Sequence, residues 1–136
     1  MKYTHRPGVY AVLPRNGQLL VTFQGGIHNE FQLPGGGVDQ GESLIGALHR
    51  EVIEETGWRI GTPFKLGMFR RFVFMPEYDI WAEKICHIYA ARPIRRLCAP
   101  IEVDHEAVWM PPERAQLLLA NEGDRSFVAR FLGDEF

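Results

Sequence analysis

Glu51, Glu54 and Glu55 fall within one five-residue stretch, and their spacings of three and four bring like charges together on one side of any α-helix that carries them. Two of the three also sit in the last turn of such a helix, at the negative end of its macrodipole, where cations are preferred. A solvated acidic helix end, relieved by Arg50 four residues before Glu54, is the ordinary explanation. The Gly35-Gly36-Gly37 run just upstream argues for chemistry instead, because glycine lets backbone groups come close to a metal or a phosphate. A hard divalent cation such as Mg²⁺ or Mn²⁺ prefers carboxylate oxygens, and three of them on adjacent turns are a preformed ligand set.

The elements that must position these groups are legible around them. LIGALHREVIEET, residues 44–56, has helical spacing, with Ser43 available as N-cap and Gly57 as the stop. On a helical wheel Leu44, Ile45, Leu48 and Val52 form one stripe and the carboxylates lie beside it rather than opposite. Asn16-Gly17 between GVYAVLP and QLLVTFQ predicts a hairpin. GGIHNEFQLPGGGVDQGES, crowded with glycine and holding Pro34, predicts a long ordered loop. FKLGMFRRFVFM and YDIWAEKICHIYAARPI, separated by Pro76-Glu77, predict further strands. PPERAQLLL opens a helix on prolines, and DRSFVARFL pairs Phe127 with Phe131 and Val128 with Leu132 at helical spacing. This order predicts an α+β sandwich, one domain over residues 1–136, with no internal repeat or linker.

Bulk properties narrow the ligand. The chain has 136 residues, 46% hydrophobic and 24% charged, which favours a packed core over disorder or coiled coil. Fifteen Lys plus Arg against 17 Asp plus Glu give a formal net charge of −2, too balanced for a protein that lives by neutralising a long phosphate backbone, so a small ligand is expected. Cys86 and Cys98 lack the spacing of a zinc site or disulfide scaffold and read as buried or half-buried thiols. No apolar stretch reaches the roughly 18 residues of a membrane span, and Met1 to Arg15 lacks a basic segment followed by an uninterrupted apolar one. A soluble cytoplasmic protein is expected, with monomer and homodimer both open.

Gly36, Glu42, Arg50-Glu51-Val52, Glu54-Glu55 and Gly57-Trp58 together resemble the Nudix box, GX5EX7REUXEEXGU, in which U is a bulky apolar residue. Every fixed position matches, and Trp58 stands where an aliphatic residue is more usual. The resemblance extends to Leu33-Pro34 before the box and to the flanking strands. It implies an α/β/α sandwich with a mixed sheet and metal-dependent hydrolysis of a nucleoside diphosphate linked to another moiety, usually with Mg²⁺. It makes Glu51, Glu54 and Glu55 the metal carboxylates and the Gly35 carbonyl a further ligand. It also gives Arg50 the task of orienting Glu54, and Glu42 a supporting place behind the ligands. The metals would then neutralise the diphosphate, acidify a bound water and align it for in-line attack.

A base outside the box is expected on a later loop or strand. From the acidic run Glu102, Asp104, Glu106, the candidate is Glu106, with Glu83 as the second choice. A solvated loop before a core strand accounts for the same run equally well. Substrate marks that accompany the box elsewhere in the family do not fit. The fifteenth residue after Trp58 is Val73, whereas Pro76 and Tyr78 lie at eighteen and twenty. Phe31, Phe72, Phe74, Tyr78 and Trp81 are candidates for stacking on a base, and strand alternation puts Phe72 with Phe74 and separates Arg70 from Arg71. The favoured substrate is a small nucleotide, such as an oxidised or unmodified nucleoside triphosphate. The competing readings are a nucleotide-binding sensor without turnover and an enzyme acting on RNA 5′ ends.

Overall fold

The computed structural model describes residues 2–135. Strand β1 (Thr4–Val12) runs into a short β2 (Pro14–Arg15), the Asn16-Gly17 turn with both φ angles positive, and β3 (Gln18–Gln24). Then come β4 (Glu30–Gln32), β5 (Gly35–Gly37), helix α1 (Leu44–Thr56) and β6 (Trp58–Ile60). The long hairpin of β7 (Phe64–Met75) and β8 (Ile80–Ala90) is followed by β9 (Pro93–Arg96) and β10 (His105–Met110). Helices α2 (Pro112–Leu118) and α3 (Glu122–Glu135) close the chain. No helix of the described residues is long and apolar enough to cross a membrane.

One sheet has the order β5-β1-β8-β7, a second the order β10-β3-β2 with β4 on β3, and β6 pairs with β9 in a separate ribbon. The first is mixed: β1 and β8 are parallel from Thr4 beside Ala82 to Val12 beside Ala90, and the other pairs are antiparallel. Alternation along β1 decides the layering. Val9 and Ala11 face α1 in a core with Leu20, Ala47, Leu48, Val52 and Ile60. Val12 faces the other way, into a core with Leu19, Val21, Ile88, Phe127 and Val128 under α2 and α3. Because both faces are covered, the central strands read as nearly continuous apolar runs. This is the expected α+β, α/β/α sandwich.

Three expectations need correction. The glycine-rich stretch is not one loop, because β4 and β5 lie inside it. Gly35, Gly36 and Gly37 pair with Tyr10, Val9 and Gly8, a pairing made by backbone groups alone and therefore invisible to side-chain periodicity. The run ending in Pro93-Ile94 is not a single strand, since β8 stops at Ala90 and β9 begins at Pro93. Cys86 is buried as expected, but Cys98 is exposed on the loop after β9.

Helix α1 begins and ends where its caps require. Ser43 Oγ accepts from the Gly46 N–H at 3.0 Å, and the Gly57 N–H donates to the Ile53 carbonyl at 2.8 Å. Its buried face differs from the wheel. Ile45 is 39% exposed, whereas Ala47, Leu48, Val52 and the Glu55 carboxylate lie inside.

Gly57 has φ +78°, and a Cβ there would start 1.8 Å from the Cys98 carbonyl oxygen. Its own carbonyl accepts from the Leu97 N–H at 2.7 Å, so helix end and loop are locked together. Gly57→Ala is therefore expected to lower stability by about 3 kcal/mol or more, read as a shifted urea midpoint. An unchanged midpoint would mean the loop yields freely.

Candidate active site

Arg50 is the hub of the polar face of α1. Its Nε and Nη2 donate to the two Glu42 oxygens at 2.7 and 2.8 Å, and Nη2 also reaches the Gly37 carbonyl at 3.0 Å. Nη1 donates to Glu51 at 2.9 Å and, less closely, to both Glu54 oxygens at 3.3 and 3.2 Å. Arg50 thus holds Glu42 and Glu51 more tightly than Glu54, the residue it was expected to orient. Glu42 accepts the Asp39 N–H as well, and the guanidinium pulls its carboxyl down to a pKa of about 2. Glu42 thus ties the loop after β5 to the helix.

Glu51 is pressed against β5. A side chain at Gly36 would start 2.5 Å from the Glu51 carboxyl carbon, so glycine is required there by close approach. Glu55 lies deeper, its Oε1 accepting the Gly35 N–H at 3.1 Å. The His105 Nδ1 is 3.8 Å from Glu55 Oε2 and 3.0 Å from Thr22 Oγ1, so a short polar chain runs from the helix into the second sheet. Sequence reasoning missed this histidine, which only the β3–β10 register brings in.

Glu51, Glu54 and Glu102 each place a carboxylate oxygen within 4.8 Å of the others. Glu102 arrives because the C-terminal carbonyls of α1 need donors. The Glu54 carbonyl accepts from the Ile101 and Glu102 N–H groups at 2.7 and 3.0 Å, which folds the loop after β9 over the helix end.

Glu106 does not join them. It is exposed on β10 and registers with Phe23, whereas its neighbour His105 turns toward Glu55. Successive strand residues face opposite ways, so Glu106 points to the α2–α3 side. Glu83, the second candidate, is also away from the cluster and accepts from His5 at 2.8 Å.

Burial, chiefly, raises the pKa of Glu51, with Arg50 opposing and Glu54 and Glu102 adding to the rise. Burial likewise pushes Glu55 well up, against the Gly35 N–H and with Glu51 and Glu102 reinforcing. The charges of Glu51 and Glu55, disfavoured by burial and by their acidic neighbours, would be relieved by a bound cation. An all-oxygen donor set under strain from its own charge fits a hard divalent ion.

Two of these carboxylates border open clefts, Glu55 one and Glu51 another. On one side of β5 a cavity of about 350 Å³ is bounded by Gly35–Gly37, Glu55, His105, Arg71 and Lys84. It shares Tyr10, Glu30 and Gln32 with a smaller polar recess of about 100 Å³ that reaches Asn121 and Asp124. Of the aromatics singled out, Phe31 packs on Phe23, Phe72 on Tyr3 and Phe74 on Trp81.

Asp124, 4% exposed, accepts the Leu33 N–H at 3.4 Å, and burial raises its pKa to about 6. A carboxyl whose folded pKa is raised stabilises the fold most at low pH, and that contribution fades as pH climbs from about 4 to about 6. Asp124→Asn is expected to flatten this window and to gain about 2–3 kcal/mol at pH 7. Urea unfolding at pH 4 and 7 measures it, and an equal effect at both values would count against burial as the cause.

A family model described as NUDIX domain matches residues 4–131. An RNA pyrophosphohydrolase of Sulfurovum sp. (strain NBC37-1) is 39% identical over 61 residues, which is 41% of this chain and 39% of that protein. The match thus spans well under half of that relative's length. A NUDIX hydrolase from Nitrosomonas europaea superposes with TM-score 0.79 at 16% identity, covering 97% of this chain and 91% of the other. A MutT protein from Methanosarcina mazei Go1 gives TM-score 0.75 at 22% identity, covering 98% and 97%. These two likenesses carry the fold. With the family model spanning the carboxylate helix, the glycine strand and the sheets that hold them, the chain belongs to the Nudix hydrolase family.

Proposed function

We propose that this protein is a cytoplasmic enzyme that hydrolyses a diphosphate bond in a small nucleotide, a nucleoside triphosphate with an oxidised or unmodified base being the first choice. The observation that carries the reading is the close group of Glu51, Glu54 and Glu102 at the end of α1, with Glu51 and neighbouring Glu55 each lining a cleft. These carboxylates, with the Gly35 carbonyl, are the residues that would hold Mg²⁺ or Mn²⁺. Once bound, such ions supply charge neutralisation for the diphosphate and an acidified water for attack on phosphorus.

The chain's own groups do the rest. Arg50 holds Glu51 and Glu54 in place from behind while Glu42 holds Arg50. Glu102 takes the part first given to Glu106, because it alone of the acidic run meets Glu51 and Glu54 and can ligate or accept a proton there. The enclosed recess by Asn121 and Asp124 has the polar walls that would read a base.

A panel of nucleoside triphosphates, oxidised nucleotides, ADP-ribose and 5′-triphosphorylated RNA, incubated with and without Mg²⁺, tests the reading through phosphate-containing products. The RNA belongs in the panel because a matched relative is named an RNA pyrophosphohydrolase. Tight nucleotide binding without cleavage of any compound would favour the sensor reading, against which the complete carboxylate set argues.

A further inference from the structure

Three cations stand in a row across three neighbouring strands. Arg6 of β1 registers with Lys84 of β8, and Lys84 registers with Arg71 of β7. Directly opposed residues share a sheet face, so all three side chains leave the same face, the one that also carries Tyr10 over the cleft. Like charges opposed in this way repel. Among the described residues none of the three has an ion-pair partner. Glu77 at the hairpin turn and buried Asp124 are the carboxylates whose charges this row feels. Lys84 is half-buried, and burial together with Arg71 and Arg6 disfavours its charge. A row that costs stability and faces a cleft resembles the acidic group on α1, with the sign reversed.

The row spans two compartments. Lys84 and Arg71 line the recess and cavity on the Glu55 side of β5. Lys84 and Arg6 also line a larger cavity, about 660 Å³, which shares Tyr10, Gly37 and Lys84 with the first and has Glu51 and Asp39 in its wall. There the Arg6 guanidinium carbon lies 4.8 Å from the ring centroid of Tyr78, a cation–π contact that holds it at the cavity wall. A substrate whose diphosphate lies over the carboxylates, with its nucleoside toward Asn121, has its remaining part in this second cavity.

We infer that the cavity between Arg6, Lys84, Tyr78 and Gly37 is an anion subsite for the phosphate-bearing end of the substrate, so that the group attached beyond the diphosphate is phosphate or polyphosphate rather than an uncharged sugar or alcohol. The inference rests on the hydrolase reading for its place in the cleft, but the subsite itself needs no metal. Its probe is therefore inorganic tripolyphosphate, titrated calorimetrically in EDTA.

Wild-type protein is expected to bind tripolyphosphate. Lys84→Met and Arg6→Gln should each weaken that binding on the order of tenfold, the usual loss for one charge-assisted contact, while Lys84→Arg keeps most of it. Arg70→Gln is the control. It removes the same charge from the adjacent residue of β7, on the opposite sheet face, and should change binding less than about twofold. The same two subsite variants should raise KM for a nucleoside triphosphate and leave KM for ADP-ribose nearly unchanged. No tripolyphosphate binding by the wild type, or equal losses in Arg70→Gln and Lys84→Met, would overturn the subsite. Intact tripolyphosphate binding with no hydrolysis of any nucleotide would support the subsite and sink the hydrolase reading instead. Should Lys84→Met fail to fold, Arg6→Gln carries the same decision.

Discussion

Glu54→Gln is expected to leave a folded protein whose Mg²⁺-dependent turnover has fallen by roughly a thousandfold or more, since on the proposed function it removes the charge of a metal carboxylate without changing shape. Arg50 keeps an oxygen to donate to, so the local hydrogen bonding survives. In the absence of metal the same change relieves repulsion with Glu51 and Glu102 and should raise stability slightly, by up to about 1 kcal/mol. The two effects have opposite signs, and that pairing distinguishes a functional cluster from a merely structural one. Turnover within a few-fold of wild type would remove Glu54 from the reaction. A loss of stability would mean that its bonds to Arg50 outweigh the repulsion.

The second large effect separates two glutamates four residues apart. Glu102→Gln should cut kcat by about a hundredfold, the low end for loss of a positioned acid–base group or ligand, with the metal concentration for half-maximal activity shifted upward. Glu106→Gln should stay within about threefold of wild type, as exposed substitutions far from a site do. The structural ground is the helix end. Glu54 uses its backbone carbonyl to hold the Glu102 N–H, and the two side chains then meet above it. Glu106 sits on a strand whose inward position at that level belongs to His105. If the order of the two variants reversed, Glu102 would be a helix-capping residue only, and the reaction would need a different closed arrangement of the loop after β9.

Much of the fold was legible because it is local. The bounds of α1 follow from Ser43 and Gly57, which meet needs of the helix's own backbone and require no knowledge of the rest of the chain. The first hairpin follows from Asn16-Gly17 in the same way. What failed was periodicity without side chains, in Gly35–Gly37, and the assumption that a stripe on a wheel is buried along its whole length, in Ile45. Net charge also misled in its reach. A total of −2 describes the chain, yet it holds an acidic group on α1 and a cationic row across the sheet that a sum cannot separate.

The sequence alone determined the carboxylates of α1, their spacing and the family they resemble, since a helix converts offsets of three and four directly into neighbours in space. Glu102 in place of Glu106, the His105 contact to Glu55 and the alignment of Arg6, Lys84 and Arg71 were decided only by tertiary structure. Each depends on strand register or on a loop closing over a helix end, and register is settled by which apolar faces can be buried together across the whole chain.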